Sequence, residues 1–322
     1  MPCQQEIDSL RTFIEERDGF TIIAHKSPDG DTLGSTLALL WLLRKLGKRA
    51  EAVCADPMPA IYMFLPLADE ICLPKDAVGY ENAISVDCAD RSRLGTANDL
   101  FAAAKATYNI DHHRTNDAYA QHNAVNPSAA ATGELIYHLL QSLAVSPEAD
   151  FASCLYTALM TDTGNFAYSN TTGETMRIAA DLLDAGADGY GLNLRIYRNT
   201  SLERLLLLRQ AIGNIRLYEG GRVGITSLTK AEIAECGAQE DDTEGVVDSI
   251  RDIQSVEIAV FIKQSAEDVW KVSLRSKLQA DVGTIAAKLG GGGHERAAGY
   301  TAHGRLESAW AEALGHAKEA LL

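Results

Sequence analysis

Four stretches of the 322-residue sequence place carboxylates or imidazoles directly after an apolar run. IIAHKSPDGDTLGS carries His25, Asp29 and Asp31. AISVDCAD carries Asp87, YNIDHHRTN carries Asp111, His112 and His113, and LYTALMTDTGNF carries Asp162. Imidazole with several carboxylates and no thiolate suits an octahedral cation such as Mn²⁺ better than a structural zinc ion. Cys88 follows Asp87, but successive side chains on a strand point to opposite faces, so its thiol is expected to face away. The number of ligands suggests two ions. Asp29 and Asp31, two positions apart in a turn, can reach different metals, and a carboxylate such as Asp87 can bridge. Paired ions ~3.5–4 Å apart clamp the attacking and phosphoryl oxygens of a hydrolysis. Each stretch alone has a plainer reading. Asp29-Gly30 is a good turn, Asp31 or Thr32 could cap a helix, and Asp87 and Asp162 could close a strand and a turn. It is the four together, in this order, that favour a metal centre.

These side chains need elements to position them. GFTIIAH, RAEAVCA, NAISVD and ATYNIDHH read as strands. TLGSTLALLWLLRKLGK, ATGELIYHLLQSLAV and ADFASCLYTALMTD read as helices, the first offering Leu37, Leu40, Trp41 and Leu43 to a core. Strands alternating with helices predict an α/β fold, a parallel sheet with helices on both faces. Ligands of such sheets bind beyond the carboxyl ends of the strands, where the first three clusters fall, so one cleft can receive all four.

A second, smaller α/β block is expected after Glu219-Gly220-Gly221. RVGITSL, SVEIAVFIKQ and VWKVSLRS are strand-like, whereas DVGTIAAKLG and LESAWAEALGHAKEALL are helix-like. SLERLLLLRQAIGNI has helical spacing and reads as a connector. The expected division is 1–188, a helical linker 189–217, and 218–322. In the second block Gly290 to Gly293 lack side chains, so backbone N–H groups there can approach a phosphate. His294 and Arg296 follow, and Arg275 ends a strand, a residue suited to bidentate phosphate contact. The plainer alternatives are tight packing for the glycines and a surface ion pair for Arg275.

Composition narrows the function classes. Net charge is −15, which argues against sequence-independent binding of long nucleic acid but leaves room for a short phosphorylated substrate. Mean hydropathy is −0.09, no apolar run approaches the ~18 residues of a membrane span, and the N-terminus lacks a signal-peptide pattern. The expected address is cytoplasmic, away from the membrane. Cys3, Cys54, Cys72, Cys88, Cys154 and Cys236 form no CxxC pair and are expected to stay reduced. His122, His138, His303 and His316 have no metal-like company. Phe166 and Tyr168 could stack a base or simply pack, Gln239–Asp242 reads as a solvated loop, and Thr132 and Glu134 fit a helix start.

HKSPDGDTLGS, VDCAD, DHH and TDTGNF resemble, in order and spacing, the successive motifs of the DHH phosphoesterase superfamily. SLRSK and GGGGHERAAG resemble the DHH-associated substrate-binding domain. The compact two-domain form is most similar to the bacterial oligoribonuclease/pAp phosphatase group, which degrades nanoRNA. The resemblance implies that His25, Asp29 and Asp87 hold one Mn²⁺, and that Asp31, Asp87, His112 and Asp162 hold a second, with Mg²⁺ or Co²⁺ as substitutes. It implies that His113 faces the scissile phosphate and that Asp111 orients a histidine ring, as ligating imidazoles usually require. It further implies that Arg275, Ser276, Gly291, Gly292, Gly293, His294 and Arg296 hold the far phosphate or nucleotide. The implied substrates are oligoribonucleotides of a few residues, cut to 5′ mononucleotides, and 3′-phosphoadenosine 5′-phosphate. The rivals are a RecJ-like exonuclease, a family II pyrophosphatase, a cyclic dinucleotide phosphodiesterase and an exopolyphosphatase. A non-catalytic nucleotide sensor could discard ligands, and none is missing here. The oligomeric state is left open, a homodimer included.

Overall fold

Strands whose residues are buried on both faces organise the first of two units, 1–199 and 200–322. The computed structural model describes residues 4–321, so Cys3 lies outside the described residues. Strands β1 (Phe20–Ala24), β2 (Ala50–Cys54), β3 (Ile71–Cys72), β4 (Asn82–Val86), β5 (Ala106–Asp111) and β6 (His122–Val125) form a parallel sheet in the order β3-β2-β1-β4-β5-β6. The helices are α1 (Gln4–Glu15), α2 (Gly30–Lys45), α3 (Asn98–Ala103), α4 (Thr132–Ser142), α5 (Ala149–Asp162), α6 (Gly173–Asp184) and α7 (Gly189–Tyr197).

Neighbouring residues of β1 serve opposite faces. Ile22 joins the large cluster built with Leu10, Leu37, Leu40 and Leu155, while Ile23 joins a smaller one with Leu94 and Phe101. That two-sided burial explains why the central strands read as unbroken apolar runs. Helix α2 is buried along most of its length, including Leu37, Leu40 and Leu43. It lies so close to α5 that a Cβ on Gly34 would sit 2.4 Å from the Cys154 carbonyl oxygen. Gly30 and Gly133 meet Thr161 and Ala158 of α5 in the same way. Small residues at these crossings bring the start of α2, the start of α4 and the end of α5 to one place.

The second unit contains α8 (Leu202–Gly213), β7 (Arg216–Tyr218), β8 (Val223–Leu228), α9 (Lys230–Glu235), α10 (Val246–Arg251), β9 (Ile258–Ala266), β10 (Val269–Ser276), α11 (Val282–Lys288), β11 (Gly292–His294), β12 (Ala297–His303) and α12 (Leu306–Glu319). Its mixed sheet runs β11-β12-β10-β9-β8-β7, with β8 and β9 parallel and the other pairs antiparallel. Trp270, Val272 and Leu274 alternate into a core with residues of α11 and α12. Leu207 and Ala211 of α8, read from sequence as a connector, pack with Val246, Val247, Ile250 and Phe261 inside this unit. Among the described residues, no helix is long and apolar enough to cross a membrane, and five cysteines are free thiols.

Candidate metal centre

The centre is assembled at the carboxyl ends of β1, β4 and β5. His25 follows β1 and is 1% exposed. Its Nδ1 donates to the Lys26 carbonyl at 2.8 Å, which turns Nε2 inward. Asp29 caps α2, its Oδ1 accepting from the Thr32 amide at 3.0 Å. The sequence offered Asp31 or Thr32 as the cap; the cap is Asp29 instead, with both of those inside the helix, and its carboxylate still reaches the group formed with His25 and Asp87.

Asp31, in the first turn of α2, is buried and held by three donors. These are the Thr132 amide at 2.7 Å, the Gly133 amide at 3.1 Å and the Ser35 hydroxyl at 2.9 Å. The two amides belong to the unsatisfied first turn of α4, which favours a negative charge. Burial nevertheless drives the Asp31 carboxyl well above its usual range, and the charges of Asp87, Asp162 and Asp29 push the same way. Asp162, the last residue of α5, is pushed up by burial to about 6.

Asp87 stands just past β4 with φ +57°, a left-handed conformation uncommon for aspartate. Thr132 donates to its Oδ1 at 2.9 Å and Thr32 to its Oδ2 at 2.7 Å. Burial raises this carboxyl, but the neighbouring His25, His112 and His113 outweigh it and bring it to about 2. The thiol of Cys88 does face away, though not through strand alternation. The strand ends at Val86, the chain turns at Asp87, and Cys88 packs with Ile23, Val53 and Leu94.

Beyond β5, His112 Nδ1 donates to the Ala129 carbonyl at 3.1 Å. Its Nε2 lies 3.5 Å from Asp162, 3.7 Å from Asp87 and 3.8 Å from Asp31. Asp111, fully buried, accepts from the His112 amide at 2.8 Å and from His113 Nδ1 at 2.7 Å. Asn116 donates to its other oxygen at 2.5 Å. The Asp111 bond lifts His113 to about 9, so the ring is cationic at neutral pH.

Three groups of donor atoms converge, each within 4.8 Å: His25, Asp29 and Asp87; Asp31, His112 and Asp162; and Asp87, His112 and His113. Asp87 belongs to two of them. Among the described residues no lysine or arginine forms an ion pair with Asp31 or Asp87; their nitrogen neighbours are histidines. Buried carboxylates so arranged, with imidazole nitrogens fixed from behind, fit hard divalent cations. Thr32, Ser35, Thr132, Gly133 and Asn116 were not singled out from sequence as parts of this site. Thr132 read as a helix start, which it is. What its amide binds lies 101 positions away, and no local pattern carries that information.

The second unit's candidates lie around the β10–β12–β11 ladder. Arg275 is in register with Ala297, and Ala297 with His294, so Arg275 and His294 share a face with a small residue between them. Arg275 pairs with Asp248 at 3.4 Å. Arg296 donates to the Ala280 carbonyl at 2.8 Å and pairs with Glu295 at 2.8 Å. Ser276 is buried, its hydroxyl 3.5 Å from the Glu295 carbonyl. A Cβ on Gly291 would lie 2.2 Å from the Gly299 oxygen, and one on Gly293 2.5 Å from the Ala297 oxygen, so both glycines are required by packing. Gly292 has no such neighbour. Elsewhere, Phe166 packs edge-on against Tyr156, and Tyr168 is exposed.

The profile of the DHH family, N-terminal domain, matches residues 19–159, and that of the DHHA1 domain matches residues 226–321. A Thermus thermophilus protein named bifunctional oligoribonuclease and PAP phosphatase NrnA is 36% identical, over 93% of this chain and 89% of its own length. A Bacillus subtilis protein of the same name is 28% identical, over 87% and 88%. The crystal structure of an exopolyphosphatase-related protein from Bacteroides fragilis is similar with a TM-score of 0.92 at 27% identity, covering 98% of this chain and 96% of that one.

Proposed function

This chain belongs to the DHH family of phosphoesterases, and on that premise we propose that it hydrolyses short oligoribonucleotides to 5′ mononucleotides and 3′-phosphoadenosine 5′-phosphate to AMP, using two Mn²⁺ ions. The observation that carries the reading is the pair of donor groups, His25–Asp29–Asp87 and Asp31–His112–Asp162, with Asp87 between them. The donor set of oxygen and imidazole ligands suits Mn²⁺. Bound there, such ions polarise a phosphoryl oxygen and supply a nucleophile at neutral pH.

The protein's own groups do the rest. Asp87 is held from both sides by threonine hydroxyls, so its two oxygens stay divided between the two ligand groups. Lys26 and Ala129 fix the ring tautomers of His25 and His112 through their carbonyls. Asp111 holds His113 by Nδ1. That leaves Nε2, on a ring whose proton Asp111 helps to hold, to stabilise charge on the phosphoryl group or to give a proton to the leaving oxygen. Arg275, Ser276, Gly291, Gly292, Gly293, His294 and Arg296 are proposed to hold the far phosphate or nucleotide. The net charge of −15 disfavours long polyanions, so short substrates follow.

The test is turnover with Mn²⁺ and with EDTA on a panel of 3′-phosphoadenosine 5′-phosphate, di- to pentaribonucleotides, a 24-mer RNA, cyclic di-AMP, pyrophosphate and polyphosphate. Mn²⁺-dependent release of mononucleotides, faster on the short RNAs than on the 24-mer, is expected. Equal processing of the long strand, or a preference for polyphosphate, would replace the reading.

A further inference from the structure

One arginine reaches the centre. Arg93 lies in the short helical turn Arg91–Ala97 that follows Asp87, begun by Asp90, whose carboxylate accepts from the Ser92 amide. The turn is docked against the first ligand loop. The Lys26 amide donates to the Arg93 carbonyl at 2.8 Å. Gly95 adopts φ +55° where a Cβ would lie 2.9 Å from Ala55. With its backbone so placed, the guanidinium meets the His25 ring edge, Nη2 lying 3.0 Å from Nε2 and 3.2 Å from Nδ1. Because Nδ1 already donates to Lys26, the acceptor for Arg93 is Nε2, which also lies 2.6 Å from the Thr32 hydroxyl oxygen and 3.7 Å from Asp87.

This is a weak partner for a guanidinium. Among the described residues no carboxylate oxygen lies within 4.0 Å of Arg93, although the chain carries a net charge of −15. Its charge is also felt at His113, so it acts on the space between His25 and His113. A half-buried guanidinium without a carboxylate, beside carboxylates set for cations, is matched to a phosphoryl oxyanion.

We propose that Arg93 contacts the scissile phosphate, donating to a non-bridging phosphoryl oxygen and stabilising the charge that builds there in the transition state. The inference rests on the phosphoesterase reading above. When His25 Nε2 serves as a ligand, its lone pair is no longer available to Arg93, and the freed N–H groups turn to the substrate oxygen. The contact is distinct from those of the second unit, since it engages the reacting phosphate that every substrate carries.

The experiment compares wild type, Arg93→Gln and Arg93→Lys in three measurements: Mn²⁺ affinity by calorimetry, affinity of the Mn²⁺-loaded protein for inorganic phosphate, and kinetics at saturating Mn²⁺. The substrates are 3′-phosphoadenosine 5′-phosphate and bis-p-nitrophenyl phosphate. For Arg93→Gln, Mn²⁺ binding is expected to be unchanged or tighter, because a competing cation is gone. Phosphate affinity and kcat/KM on both substrates should fall by about tenfold or more, the worth of one charge-assisted hydrogen bond, and Arg93→Lys should recover part of each. Weaker Mn²⁺ binding with phosphate affinity and kcat/KM retained would overturn the proposal and make Arg93 a strut for His25. A loss confined to the nucleotide would also overturn it, by moving the contact away from the reacting phosphate. If wild type hydrolyses neither substrate, the phosphoesterase reading falls, while the phosphate titration still decides whether Arg93 binds an oxyanion.

Discussion

The metal centre of the first unit and the glycine hairpin of the second face opposite electrostatic problems. In the first, the buried carboxyls Asp31 and Asp87, 1% and 2% exposed, have no lysine or arginine partner among the described residues and are held by amides and hydroxyls. Taking such charges out of water costs several kcal/mol each even after relaxation, a cost that a bound cation offsets. In the second, the cations already have anions, Asp248 for Arg275 and Glu295 for Arg296, in partly exposed pairs of small worth. The first site is thus a set of buried carboxyls suited to a cation, whereas the cations of the second are held only by weak, partly exposed partners.

The largest effect that would break this contrast is expected at Asp87. Asp87→Ala should lower kcat by about 10³-fold or more, given several kcal/mol of charge stabilisation at a shared ligand. It should also lower the Mn²⁺ bound per chain, measured on the dialysed protein. Full activity and full metal content in this variant would remove Asp87 from its central place.

A smaller effect is expected from the second unit. Arg275→Ala should reduce kcat/KM on 3′-phosphoadenosine 5′-phosphate by about tenfold, at ~1.5–3 kcal/mol for a charge-assisted bond, with metal content unchanged. On bis-p-nitrophenyl phosphate, which has no second phosphate, the loss should be much less. Equal losses on both substrates would mean that Arg275 serves only its ion pair with Asp248.

The smallest effect is a dependence of stability on pH, confined to the metal-free protein. Asp162 moves from 3.8 to about 6 on folding, so the folded state binds the extra proton and gains stability as pH falls through 6. His113 moves from 6.5 to about 9, so its contribution is complete below 6.5 and is lost as pH rises to 9. Rising pH therefore lowers the Tm of EDTA-treated protein in two steps, through Asp162 mainly up to pH 6 and through His113 from pH 6.5 to pH 9, by about 2–4 °C per kcal/mol. Saturating Mn²⁺ should flatten the slope, and a metal-free Tm that rises over this range would contradict it.

The strands that read clearly were those buried on both faces, such as FTIIA and NAISV, because two-sided burial leaves an unbroken apolar run. Strands β3 and β6 were too short to stand out. Strand β12, AAGYTAH, is poor in β-forming residues and exists because β10 and β11 pair with it. The four glycines looked alike in sequence, yet packing against β12 requires Gly291 and Gly293 and leaves Gly292 free.

The donor set of the metal centre could be read from sequence because ligand chemistry belongs to the side chain. Aspartate and imidazole remain hard and borderline donors wherever they stand, and the short loops that carry them keep their spacing. What the tertiary structure alone decided is how those donors are held and charged. Thr132 and Gly133 restrain Asp31 from another helix, Asn116 restrains Asp111, and Arg93 is set against His25 by a turn docked on the neighbouring loop. Protonation follows the same rule. Asp31, Asp87 and Asp162 are one residue type with three different proton affinities, because burial and neighbouring charge depend on distances in space and not along the chain.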